Sequence, residues 1–146
     1  MRRTKLLCLA VAGLAAQTHT FRLGEPAEVV AELEMSSPGS DWSEAGREAA
    51  TALVTLDGAA RQHVVLSAGA ERHVYAVFLG QVAAGEHRLH IERDAAHSAP
   101  PSGLEVAAVR FREYRPGDPL YTVVANAPVL HARPDVIGRF SDVPLL

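Results

Sequence analysis

Apolar and polar residues alternate with a period of two through most of this chain, and glycine, proline or aspartate cuts the alternation every ten residues or so. That rhythm predicts short strands joined by turns. It is clearest at 28–35, where Val29, Ala31, Leu33 and Met35 share one face and Glu32 and Glu34 the other, the pattern of a half-buried strand. Residues 18–23 read as a strand closed by Gly24-Glu25-Pro26, and Ser36-Ser37-Pro38-Gly39-Ser40 ends the second. Residues 50–56 and 61–66 flank Asp57-Gly58, a dipeptide that accepts the positive φ angles of a tight turn, and so predict a hairpin. A two-residue loop would set Val54 opposite Arg61. A three-residue loop with a bulge would set Ala52 opposite Val64 and Leu56 opposite Ala60, and this register is preferred.

Residues 72–79 are apolar on both faces, which predicts a central strand. At 86–94, His87, Leu89 and Ile91 point inward and Arg88, His90 and Glu92 outward; 104–114 and 120–125 read as the last strands, separated by Arg115-Pro116-Gly117-Asp118-Pro119. The one helical candidate is 43–50, because Ser43-Glu44-Ala45 resembles a helix start, although Gly46 weakens it. The expected fold is all-β, an antiparallel β-sandwich of immunoglobulin-like or jelly-roll-like kind. Leu33, Val54, Tyr75, Val77, Leu89 and Phe111 are its expected core.

The two ends depart from this pattern. Arg2, Arg3 and Lys5 precede an apolar run at 6–14 and a small-x-small site at Gly13-Leu14-Ala15, the arrangement of a secretory signal peptide. Residues 1–16 are therefore read as a signal, and the mature chain as secreted or periplasmic. The run is too short for a membrane anchor, so no transmembrane segment is expected in the mature chain. Residues 17–125 form the expected β-sandwich domain. Beyond it, 126–146 mixes Val129, Leu130, Val136, Ile137, Phe140, Val143, Leu145 and Leu146 with Pro128, Pro134 and Pro144. This irregular apolar tail is read as the start of a further domain of a longer chain, or as a segment that docks on another protein.

Composition narrows the partners. The 14 basic and 17 acidic residues give a net charge of −3, and losing Arg2, Arg3 and Lys5 with the signal makes the remainder −6. Such a charge argues against nucleic-acid binding, which wants clustered positive charge. Cys8, the only cysteine, lies within the signal, so no disulfide is expected in the mature chain.

Candidate chemistry is sparse. His87 and His90, three apart on a strand, face opposite ways and do not share a metal. His90 with Glu92, or His63 with His73 across a hairpin, supplies only two ligands where zinc wants three or four. No metal and no cofactor are expected. There is no Gly-x-Ser-x-Gly elbow, no His-Glu-x-x-His and no phosphate-cradling glycine loop, so no catalytic residue is assigned and the chain is read as a non-enzyme. Trp42, next to Asp41, is the best ligand-binding candidate, as an exposed indole for stacking on a sugar or anchoring a protein. The competing role is a core plug under its own loop. Tyr114 and Tyr121, flanking the 115–119 turn, carry the same ambiguity.

The segments Leu56-Asp57-Gly58, Tyr75-Ala76-Val77-Phe78-Leu79-Gly80, Ala84-Gly85-Glu86-His87-Arg88-Leu89-His90-Ile91 and Leu104-Glu105-Val106-Ala107-Ala108-Val109-Arg110-Phe111 resemble the Asp-Gly turn, Gly-x-His-x-Leu strand and closing strand of bacterial secreted immunoglobulin-like and carbohydrate-binding β-sandwich modules. The resemblance implies an accessory or interaction module of a secreted or cell-surface protein, with a protein or a glycan as partner. A carbohydrate-binding module using Trp42 is the alternative, and a fragment of an exported hydrolase the second alternative. The resemblance transfers no catalytic residue.

Overall fold

The structure is a computed structural model that describes residues 16–132, with side chains described to residue 126. The expected signal and most of the expected tail lie outside the described residues. Seven strands form two antiparallel sheets: β1 (Gln17–Leu23), β2 (Ala27–Ser36), β3 (Thr51–Leu56), β4 (Ala59–Val65), β5 (His73–Val82), β6 (Gly85–Arg93) and β7 (Glu105–Tyr114). One sheet runs β1-β6-β3-β4 and the other β5-β2-β7. A 3-10 turn (Ala95–His97) follows β6, and helix α1 (Tyr121–Ala132) closes the described chain. The all-β reading holds among the described residues, with that α-helix added. No helix among the described residues is long and apolar enough to cross a membrane.

The core lies between the two sheets because each alternating strand turns its apolar side there. Val29, Ala31, Leu33 and Met35 of β2, Val77 and Leu79 of β5, Ala52, Val54 and Leu56 of β3, and Leu89 and Ile91 of β6 belong to one buried cluster. Of the six expected core residues, Leu33, Val54, Val77 and Leu89 are fully buried, while Tyr75 and Phe111 are partly buried against the cluster. At one side of the core, Phe21 of β1 stacks on Phe111 of β7 with ring centroids 4.1 Å apart, tying an edge strand of each sheet together.

The hairpin combines features of both expected registers. Leu56 pairs with Ala59, so the loop is the two residues Asp57 and Gly58, both at positive φ (51° and 81°) as a primed turn requires. A register shift between Val54 and Thr55 then places Val54 opposite Gln62 and Ala52 opposite Val64. The bulge therefore sits inside the strand rather than at the tip, and the faces fall as the bulged register requires.

Three expectations are corrected. Strand β5 is an edge strand, and β2 is central in its sheet; α1 packs against β5 and β2, while on the second apolar face of β5 Val74 and Ala76 stay exposed and Phe78 is half-buried. The strand expected at 120–125 does not form: Leu120 ends a turn and 121–125 begin that helix, with Val124 buried. A short, largely apolar run cannot by itself separate a strand from a buried helical turn. The helix predicted at 43–50 does not form: Asp41 N–H donates to Arg47 O at 2.6 Å, closing a loop of two successive turns, and Gly46 at φ 81° takes a conformation no α-helix admits.

Candidate functional site

Two regions carry exposed chemistry. The first is the loop between β2 and β3. Ser37 anchors it, donating its N–H to Gly69 O (2.7 Å) while its Oγ accepts Ala50 N–H (2.9 Å). Asp41 Oδ1 accepts both the N–H (2.9 Å) and the hydroxyl (2.6 Å) of Ser43, and the Ser43 hydroxyl bond, then its N–H, hold the Asp41 carboxyl below the usual carboxylate range. These bonds fix the backbone on both sides of Trp42, which is 54% exposed. A β-carbon built on Gly69 would meet Trp42 Nε1 at 3.6 Å, so one edge of the indole rests on the 66–69 turn. The core-plug role for Trp42 is excluded by its exposure.

The other two predicted residues lie elsewhere. Tyr114 ends β7 opposite Glu28, at the start of β2, whereas the Trp42 loop leaves β2 after Ser36. Eight residue steps along β2 separate these ends, about 25 Å. Tyr121 follows the turn that leaves Tyr114, where its N–H donates to Asp118 O at 3.0 Å. Both tyrosines are half-buried. Trp42 and Asp41 therefore form one surface element, and Tyr114 and Tyr121 do not join it.

The second region lies on the outer face of the four-stranded sheet, where the chain leaves β6. Asp94 continues the ladder by donating its N–H to Thr51 O (2.8 Å), and its Oδ1 accepts Ala96 N–H (3.0 Å) to cap the 3-10 turn. The turn then folds over the start of β3: Thr51 Oγ1 donates to His97 O (2.7 Å), and Ser98 Oγ accepts Thr51 N–H (2.8 Å). Arg93 secures the rest of the loop, donating from Nε to Ser102 O and from Nη2 to Ala99 O, each at 2.7 Å. Ser102 in turn bonds Glu48 O, which couples this loop to the end of the Trp42 loop.

This folding brings His97 and His63 of β4 onto the same carboxylate. His97 Nδ1 lies 2.6 Å and His63 Nδ1 3.0 Å from Asp94 Oδ2, and the two rings meet edge to face at 5.5 Å. The His97 hydrogen bond, with Ala96 N–H and the charge of both imidazoles, holds the Asp94 carboxyl below its ordinary range. An open depression of about 330 Å³ lies beside the trio, lined by Thr51, His63, Val65 and His97. Sequence spacing tested His63 only against His73, but His73 lies edge-on to Tyr75 in the other sheet. Asp94, the last residue of the strand expected at 86–94, gave no signal of the convergence.

His87 makes a different pair. Its Nδ1 lies 2.7 Å from Asp57 Oδ2 and its Nε2 2.8 Å from Ala83 O. Both ring nitrogens face acceptors, so the doubly protonated imidazolium satisfies both at once. The Asp57 bond raises the His87 pKa above its ordinary 6.5, and no ring nitrogen is left for a substrate. His90 and Glu92 share a face as expected, 3.7 Å apart, and His90 Nδ1 lies 3.0 Å from Thr18 Oγ1.

Comparison of the chain with protein-family models, with curated protein sequences and with solved structures found no match.

Proposed function

We propose that the chain is an exported, non-catalytic β-sandwich that serves as an accessory or interaction module of a secreted or cell-surface protein. The observation that carries this reading is Trp42, 54% exposed on a loop whose backbone is fixed before any partner arrives. An ordered, exposed indole loses little conformational entropy on docking and brings a large apolar face, which is why tryptophan anchors interfaces. Export is supported by the signal-like pattern of residues 1–16, which ends where β1 begins at Gln17. The immunoglobulin-like reading draws on the inner strands. The pairings β2–β5 and β3–β6 match the B–E and C–F pairings of that fold, while β1 beside β6 and β7 beside β2 exchange the places of its first and last strands.

A protein surface is favoured over a glycan because Asp41 Oδ1 already accepts two hydrogen bonds from Ser43. A sugar site needs polar groups free to bind hydroxyls around its stacking ring. Replacing Trp42 by a photoreactive phenylalanine in the full chain, expressed in its native host, should cross-link a defined protein. A glycan array probed with wild type and Trp42→Ala separates the alternatives, since selective, Trp42-dependent glycan binding would replace this reading by the carbohydrate-binding one. Retention in the cytoplasm of a reporter enzyme fused after residue 16 would overturn export.

A further inference from the structure

We infer that His63, Asp94 and His97 form a zinc site, with the remaining coordination positions open to the depression beside Thr51 and Val65. This departs from the expectation of no metal, and it is independent of the role of Trp42.

The three ligand atoms already converge. One nitrogen from each imidazole and one carboxylate oxygen lie within 4.8 Å of one another, and the two nitrogens are 2.6 and 3.0 Å from that oxygen. In a tetrahedral zinc site with bonds of about 2.0–2.1 Å, neighbouring ligand atoms stand roughly 3.3 Å apart. The arrangement therefore becomes a zinc site when the two rings withdraw from the oxygen by less than about 1 Å each. Both rings are exposed, at 52% for His63 and 68% for His97, and are free to make that adjustment.

The carboxylate is the fixed element. Asp94 is only 12% exposed, its N–H is held by Thr51 O and its Oδ1 by Ala96 N–H, so Oδ2 is the oxygen left to meet a cation. The His97 backbone is held by the Thr51 hydroxyl on its carbonyl. His63 is fixed by the ladder, opposite Leu53 of β3, which pairs on its other side with Glu92 of β6. Two imidazoles with one carboxylate make a borderline donor set that suits zinc better than the hard cations calcium and magnesium, which take oxygen ligands. Three protein ligands on an open surface leave water in the fourth position, as in catalytic rather than structural zinc sites.

The test uses full-length, untagged protein freed of metal by chelator and dialysis, titrated calorimetrically with Zn²⁺ and followed in parallel by the visible absorption of Co²⁺. The expected result is saturable uptake of one equivalent, with the intense bands of a four-coordinate cobalt centre. Because loss of an outer-shell partner alone weakens metal binding about 10–100-fold, His63→Ala and His97→Ala should each weaken it at least tenfold. Asp94→Asn, which keeps an acceptor for Ala96 N–H, should do the same while the thermal midpoint stays near wild type. His90→Gln, in a separate His–carboxylate pair on this sheet, should leave affinity unchanged. Absence of one-equivalent uptake by the wild type would overturn the proposal, as would unchanged affinity in a folded His63→Ala/His97→Ala double variant.

Discussion

Leu89→Ala tests the strand phasing on which the whole architecture rests. Leu89 is fully buried on β6, which is hydrogen-bonded on both sides, opposite His19 of β1 and Leu56 of β3. The substitution removes three carbons, worth about 2.5 kcal/mol of transfer free energy at about 0.8 kcal/mol each. With ladders on both flanks the backbone cannot close over the gap, so a cavity penalty of about 1–2 kcal/mol adds to it. The expected loss is about 4 kcal/mol, or a fall in thermal midpoint of roughly 15 °C for a chain of this size. Urea denaturation monitored by circular dichroism would measure it. Val65→Ala, at an exposed position on β4, is the control and should stay within about 0.5 kcal/mol of wild type. A loss below about 0.5 kcal/mol for Leu89→Ala would put that side chain outside the core and refute the phasing of β6.

Two further predictions follow from hydrogen bonds outside the core. His87 should titrate above its ordinary 6.5 by NMR, and Asp57→Asn should lower it, because Asp57 is the main cause of the rise; a midpoint at or below 6.5 in the wild type would refute the pairing. The His87 contribution to stability is complete below 6.5 and fades as pH rises through the raised folded value. The Asp57 contribution, whose folded pKa is depressed by His87 from 3.8, is complete above that value and fades as pH falls through the depressed one. The stability difference between wild type and Asp57→Asn should therefore be greatest between 3.8 and 6.5. Arg93→Met removes two charged donors from Ser102 O and Ala99 O and should cost about 1.5–3 kcal/mol in chemical denaturation, with faster amide exchange across residues 94–102; unchanged exchange there would show that the loop holds without it.

What was legible in the sequence is what a single buried face imposes on a strand. The alternation in β2 and β6 has one solution, since a slip by one residue would turn Leu33 or Leu89 to solvent. Ambiguity began wherever two structures satisfy the same pattern. An apolar second face on β5 is met equally well by another strand or by a helix, and only the course of the chain after Pro119 decides between them. The hairpin tip was similarly open, because Asp57-Gly58 suits a two-residue turn whether or not a bulge follows three residues later.

The His63–Asp94–His97 cluster was invisible for a different reason. Its members are brought together by β3, which contributes no ligand: β4 pairs with one edge of this strand, β6 with the other, and Thr51 at its start receives the turn that carries His97. Spacing rules compare residues on one element, where an offset of two or four means a shared face. Here the offset from His63 to Asp94 is set by the path of β5 through the other sheet, and carries no periodic signal. Trp42 and Tyr114 were grouped on chemistry and separated by topology for the same reason: antiparallel pairing of β2 with β7 sends the chain segments bearing them to opposite ends of one sheet. In a fold built from non-local pairings, residue type can nominate a ligand, but only strand order decides which nominations meet.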